Sequence, residues 1–272
     1  MNRIAIVATH HKTGTVWMAH TFRMIGEALG ITVANAARLH MLAPAERVPP
    51  LIFCAAPNDL TRFPEMFEGE EVRILHVIRD PRDVLISGMH YHLRAEEKWL
   101  KRPDPELGGK TYSEALGALA TDRERYAFEM RHATARTVTQ MLAWNYARAE
   151  SFECRYEELI RDSEGKLFGR AALHMGFARD ELAVCRKTFR RYAIFGGEAQ
   201  SERKGRIAHV RSGEPEQWKG VFNRALGEAF QTAFGDALIR LGYEKDEAWL
   251  SALPGHNPGL DAPSLPAAPL PA

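Results

Sequence analysis

Residues 3 to 9 read RIAIVAT, and the next eight read HHKTGTVW. The first stretch is a short, continuous, β-branched-rich run with no polar alternation, the pattern of a strand buried on both faces of a parallel sheet. Gly14 follows, and then Val16, Ala19, Phe22, Ile25 and Leu29 recur at helical spacing, with Gly30 placed as a C-terminal stop. Strand, Gly-bearing turn, helix is the opening of an α/β domain.

The same unit recurs downstream. VRILHVI (72–78) reads as a strand, RDP as a turn, and Pro81 to about Leu93 as a helix with Pro at its first position. FECRY (152–156) is a third short strand, followed by helical patterns near 163–175 and 179–192. Strands separated by helices predict an α/β fold with a central parallel sheet flanked by helices. Residues 95–125 predict a long loop with helical pieces, and 196–217 a polar loop. One domain over 1–253 is expected, and the Pro/Ala-rich stretch 254–272 is expected to be disordered or loosely laid on the surface.

Thirty-six Lys and Arg against 35 Asp and Glu leave a net charge of +1, so no global field points to nucleic acid or a membrane, and any anion site must be local. No apolar run approaches the roughly 18 residues of a membrane span, and the N-terminal run is too short for a signal peptide. Cys54, Cys154 and Cys185 are odd in number and form no CxxC pair, which argues against a disulfide framework or zinc knuckle and for a reducing compartment, the cytoplasm. HExxH does not occur, and His90 and His92 stand two apart on a helix and share no face, so no metal is expected.

Between a strand end and a helix start, backbone N–H groups point outward and the helix dipole adds positive character, which makes an anion site. In HHKTGTVW, Gly14 permits close backbone approach, Thr13 and Thr15 add hydroxyls, and Lys12 adds a charge. The loop is not of the GxxxxGK[ST] type and has no Lys-Ser/Thr pair to seat Mg²⁺ on a triphosphate. Taken alone, the stretch also reads as a tight turn with no ligand. RDPRDVLISG (79–88) taken alone is a polar turn, with Arg79 at a strand end and Ser87 about two turns into a helix. In VRSGEPEQWKGVF (210–222), Arg211, Ser212 and Gly213 sit in a polar loop before a helix that begins near Trp218.

In this order the stretches resemble the cytosolic-type sulfotransferases, which use 3′-phosphoadenosine 5′-phosphosulfate (PAPS) and release 3′,5′-ADP (PAP). HKTGTVW (11–17) is similar to that family's PKSGTTW with His11 for Pro, RDPRDVLIS (79–87) to its RNPKDVxxS, YEEL (156–159) to its YEDL, and RSGEPEQWKGVF (211–222) to its RKGxxGDWKxxF. The resemblance spans roughly residues 4–230 and implies a P-loop-NTPase-like sulfotransferase fold without a required metal. It implies that Lys12 meets the bridging oxygen of the phosphosulfate, while Thr13, Gly14, Thr15 and Val16 cradle the 5′-phosphate. Trp17 stacks on the adenine and Tyr156 sits near it, with Phe189 lining that pocket. Arg79 and Ser87 grip the 3′-phosphate, and Arg211, Ser212 and Gly213 close over it.

The chain departs from the family pattern in two places. The family's catalytic His lies in a Lys-Thr-His segment, and the corresponding LIFCAAPNDL (51–60) has neither Lys nor His. His40, His11 and Asp59 are the candidate bases. A base needs a pKa near working pH, which favours His, and His40 is the choice because the resemblance implies a base at about its distance from the loop Lys, where some carbohydrate sulfotransferases have a Glu. The family's dimer segment KxxxTVxxxE appears as KGVFNRALGE (219–228), with Asn223 and Arg224 for Thr-Val, so monomer and homodimer stay open. The expected acceptor is a small-molecule or carbohydrate hydroxyl or amine, its identity set by residues 34–60, 95–140 and 196–209. Two rivals remain: a nucleotide-binding kinase, which the missing GK[ST] opposes, and an inactive PAPS/PAP-binding homologue, which the missing Lys-Thr-His favours.

Overall fold

The computed structural model describes residues 4–37, 50–54, 67, 69–95, 97–195 and 212–262. In chain order the elements are β1 (Ile4–Thr9), α1 (Thr15–Leu29), β2 (Val33–Asn35), β3 (Leu51–Cys54), β4 (Val72–Ile78), α2 (Pro81–His92), α3 (Tyr112–Gly117), α4 (Asp122–Arg131), α5 (Ala133–Leu142), β5 (Ser151–Arg155), α6 (Tyr156–Arg161), α7 (Lys166–His174), α8 (Leu182–Arg191), α9 (Trp218–Val221), α10 (Arg224–Phe234), α11 (Ala237–Arg240) and α12 (Pro258–Asp261). They divide into two compact units, Met1–Arg79 with Ala143–Arg203, and Asp80–Leu142 with Lys204–Ala272.

The first unit holds a five-stranded sheet in the order β2-β3-β1-β4-β5, with every pairing parallel. Every residue of β1 is buried, as its unbroken apolar run predicts. Its alternate side chains enter two different cores. Ala5 and Val7 join Met18, Phe22 and Ile25 of α1 and Phe168 and Phe189 of α7 and α8 on one face. Ile4, Ile6 and Ala8 join Ile52, Cys54, Ile74 and the partly buried Trp144 on the other. Burying a side chain such as Phe22 or Ile25 is worth about 1.5–3 kcal/mol. The strands β2 and β3 escape the sequence reading because runs of three and four residues are too short to show a period. Burial pushes the Cys154 thiol up, and pushes Cys185 up to about 12, so neither is a reactive thiolate.

The second unit is helical. Asp80 caps α2, its carboxylate accepting the Arg82 N–H at 2.9 Å, with Pro81 at the first helical position. The expected long loop with helical pieces over 95–125 has its pieces in α3 and the start of α4, where Thr111 with Glu114 and Thr121 with Glu124 form two capping boxes. The core gathers Leu85, Met89, Tyr126, Phe128, Phe222, Phe230 and Trp249. Packing continues past the expected boundary at Pro254. Leu260 of α12 is 2% exposed, and Arg123 Nε donates to Asp261 Oδ1 at 2.5 Å. The stretch expected to be loosely held is therefore tied down as far as Ala262 by the buried Leu260, the Arg123–Asp261 ion pair, and hydrogen bonds to the Pro254 carbonyl and from the Asn257 side chain, while 263–272 lie outside the described residues. Among the described residues no helix is long and apolar enough to cross a membrane.

Candidate functional site

Parallel pairing determines where the site can be. Thr9 of β1 is in register with Val77 of β4, and Ile78 of β4 with Arg155 of β5. The chain therefore leaves three adjacent strands at the same edge of the sheet, into His10–Gly14, Arg79 and Tyr156. β3 and β4 flank β1 on opposite sides, so the strand order reverses there, the position where open parallel sheets bind ligands.

The loop after β1 is built around the backbone of His10. Its carbonyl accepts the Thr13 N–H at 3.2 Å, the Thr13 hydroxyl at 3.0 Å and the Thr15 hydroxyl at 2.7 Å. The His10 N–H donates back to Thr13 Oγ1 at 2.9 Å. The two Thr hydroxyls, expected to face the anion, thus turn inward and shape the loop. The first bond of α1 runs from Met18 N–H to the Gly14 carbonyl, so the amides of Thr15, Val16 and Trp17 stand ahead of the helical ladder. Val16 is 52% exposed.

Lys12 and Gly14 both take positive φ, 64° and 96°. For Gly14 this costs little, and a Cβ there would meet Tyr156 Cδ2 at 3.1 Å. For Lys12 the left-handed backbone costs about 1–2 kcal/mol, and such strain gathers at functional loops. Arg79, 4% exposed, donates from Nη1 to the Lys12 carbonyl at 3.2 Å, and its guanidinium lies 4.3 Å from the centre of the Tyr156 ring. Residues 12, 79 and 156, from three separate stretches, thus meet at one loop.

Trp17, which the resemblance implies stacks on the adenine, packs within the core here. It is 7% exposed and packs 5.3 Å from the Phe189 ring and 6.1 Å from Tyr156. Phe189 in turn stacks on Phe168 at 4.3 Å. Both side chains are core. Trp17→Ala is accordingly expected to cost about 3–5 kcal/mol of stability, read as a lowered denaturation midpoint in the ligand-free protein; an unchanged midpoint would contradict the packing role.

In the second unit Ser87 is half-buried on α2. One turn before it, the fully buried Asp83 accepts the backbone N–H of Glu216 at 2.7 Å and of Trp218 at 3.0 Å. Arg82 donates to Asp80 and Glu244 and lies 3.6 Å over the Trp218 ring. Burial pulls the Arg82 pKa down, but the hydrogen bonds and charges of Asp80 and Glu244 outweigh it and raise it above the ordinary value. These anchors hold the segment that carries Ser212 and Gly213, the latter at φ 70°. Sequence reasoning quoted Arg82 and Asp83 inside a matched stretch without giving them work, because nothing in the spacing shows a carboxylate's partners to be amides 133 and 135 residues away. His40, Asp59 and Arg211 lie outside the described residues, while His11 is half-buried beside Lys12. Of the two helical histidines, His92 is buried with Nδ1 2.6 Å from Glu129 Oε1. Among the described residues no group of three or more His, Cys, Asp or Glu is arranged to hold a metal.

No curated protein gives a significant match to the sequence. Among solved structures, a crystal structure of mouse sulfotransferase SULT7A1 complexed with PAP aligns with a TM-score of 0.58 at 16% identity, covering 93% of this chain and 89% of that chain, a likeness of fold. Retinol dehydratase in complex with androsterone and inactive cofactor PAP aligns more distantly, with a TM-score of 0.44 at 14% identity over 86% of this chain and 80% of that one. The sulfotransferase domain description matches residues 3–242. With the sheet order, the loop after β1 and that match in agreement, the chain belongs to the sulfotransferase domain family.

Proposed function

We propose that this protein transfers a sulfuryl group from PAPS to a hydroxyl or amine of a small-molecule or carbohydrate acceptor and releases PAP. The observation that carries the reading is the meeting of Lys12, Arg79 and Tyr156 at the loop after β1. The residues fit such a donor: the loop offers a cation, the leading amides of α1 and a glycine whose missing Cβ keeps the backbone close to Tyr156. Lys12 neutralises charge on the bridging oxygen as the sulfur–oxygen bond to the 5′-phosphate breaks, its electrons staying with that phosphate. The amides of Thr15, Val16 and Trp17 and the dipole of α1 hold the departing phosphate. A new sulfur–oxygen or sulfur–nitrogen bond forms in line, and the acceptor's proton passes to a base, for which His40, His11 and Asp59 remain the candidates. A sulfuryl group carries less negative charge than a phosphoryl group, so positioning and a single cation suffice where phosphoryl transfer needs Mg²⁺. A cytoplasmic location belongs to this reading and is supported by the free, buried thiols of Cys154 and Cys185.

Transfer of labelled sulfate from PAPS to a mixed panel of alcohols, phenols, amines and sugars tests the proposal. PAP binding without transfer to any acceptor would favour an inactive homologue. A thermal shift with ATP and Mg²⁺ but none with PAP would favour a kinase.

The family resemblance assigns the 3′-phosphate to Arg79 and Ser87, with Arg211, Ser212 and Gly213 closing over it, and Asp83 ties the segment that carries Ser212 and Gly213 to α2. Asp83→Ala is therefore expected to weaken PAP by about tenfold while leaving 5′-AMP, which lacks the 3′-phosphate, little affected. Calorimetric titration of both nucleotides checks this, and an equal loss for PAP and AMP would show general damage instead of a 3′-phosphate effect.

A further inference from the structure

Behind the loop, two histidines that the reaction does not use face each other. His10 and His76 are both 0% exposed, and their Nε2 atoms are 2.8 Å apart. His76 stands in β4 opposite Ala8 of β1 and Glu153 of β5. A buried imidazole in a central strand costs free energy unless it is hydrogen-bonded. Its Nδ1 faces Glu153 Oε2 at 3.6 Å. The ring stacks on Trp144 at 4.1 Å, Tyr146 lies 5.8 Å away, and Arg148 lies over the Trp144 ring.

A nitrogen–nitrogen contact of 2.8 Å needs one proton between the two rings. Glu153 favours a proton on His76 Nδ1, so that His76 Nε2 accepts and His10 Nε2 donates. The backbone of that same His10 holds Thr13 and Thr15. We propose that His76 is a positioning residue for the anion loop: gripping the His10 ring from behind, it fixes the backbone that presents Lys12 and the first amides of α1 to the donor. The identity of that donor rests on the PAPS reading; the grip itself does not.

Acid should release the grip. A second proton on the pair sets two N–H groups face to face, and neither nitrogen can accept. Burial pulls the His76 pKa below 6.5, opposed in part by the Glu153 carboxylate, which lies just beyond hydrogen-bonding distance. A histidine with a lowered folded-state pKa binds fewer protons folded than unfolded, so its contribution is present above 6.5 and is lost as pH falls through the folded-state value.

Two measurements test the proposal: hydrogen–deuterium exchange over His10–Thr15 in the ligand-free protein, and calorimetric titration with PAP between about pH 5 and about pH 8. His76→Phe keeps an aromatic ring against Trp144 but removes the acceptor. It should speed loop exchange and weaken PAP about tenfold at neutral pH, and it should flatten the acid-side loss of affinity seen in the wild type. His76→Gln, whose side-chain amide can accept from His10, should restore most of the affinity. Glu153→Gln removes a group that raises the His76 pKa, so its acid limb should move to lower pH. PAP's own phosphates titrate in this range, but identically for every variant, so the differences between profiles are decisive. Unchanged exchange in His76→Phe, or faster exchange with unchanged PAP affinity, overturns the proposal, as does a His76→Gln variant as weak as His76→Phe with a pH profile parallel to the wild type. Should His76→Phe fail to fold, His76→Gln and Glu153→Gln decide by the same criteria. A wild type that binds no PAP refutes the donor assignment, and loop exchange then decides the grip alone.

Discussion

Lys12→Ala lowers kcat for sulfuryl transfer by about a thousandfold, the scale on which a preorganised donor aimed at developing charge acts, and leaves the fold intact. The stability half of this expectation comes from the backbone. Lys12 sits at φ 64°, a cost that alanine inherits, so replacing the side chain neither relieves nor adds strain. Its carbonyl, which accepts from Arg79, belongs to the backbone and survives the substitution. What is removed is the side chain beyond Cβ with its ammonium group, and PAP affinity should fall far less than kcat. Lys12→Gly provides the control, since it should stabilise the protein by about 1 kcal/mol through relief of the left-handed strain and still fail to transfer. Single-turnover kinetics with thermal denaturation of both variants separate chemistry from folding, and normal turnover in purified Lys12→Ala would sink the mechanism.

Arg79→Ala should have the opposite kinetic signature: PAP about a hundredfold weaker, a raised KM for PAPS, and a kcat at saturating donor much closer to wild type. The guanidinium is nearly fully buried, donates to the loop at the Lys12 carbonyl and stacks on Tyr156. Its fork can serve the loop and a phosphate oxygen together. Arg79→Lys should recover little, because one ammonium on a flexible stem offers neither the fork nor the flat face. Titration with PAP and donor-dependent kinetics check both variants. An Arg79→Ala protein that binds PAP like the wild type would remove Arg79 from the donor site.

Much of the frame was legible in residue order. The continuous apolar run before HHKTGTVW, the unbroken VRILHVI and the pattern of FECRY define three of the strands, because strands buried on both faces need no polar residues and show it. Pro81 at the first turn of α2 was equally readable, since capping is a local matter, whereas the Thr-x-x-Glu starts of α3 and α4 go unread within the loop expected over 95–125 although they leave the same kind of local mark. β2 and β3 were not, because a strand of three or four residues is stabilised by its neighbours and not by its own pattern.

The site divides in the same way. The sequence by itself singled out the residues proposed to carry the chemistry: a lone Lys ahead of Gly14, an Arg at the end of a strand, and a Ser-Gly turn before a short helix. Tertiary structure alone decided how they are held. Parallel register sends the exits of β1, β4 and β5 to one edge, Asp83 fastens a segment more than 130 residues downstream, Trp17 becomes core, and His76 meets His10 across 66 residues of chain. The physical reason is range. Caps, turns and periodic faces are made by neighbours in the chain and leave a local mark, whereas a buried carboxylate or imidazole takes whatever partner the packing of distant elements brings to it.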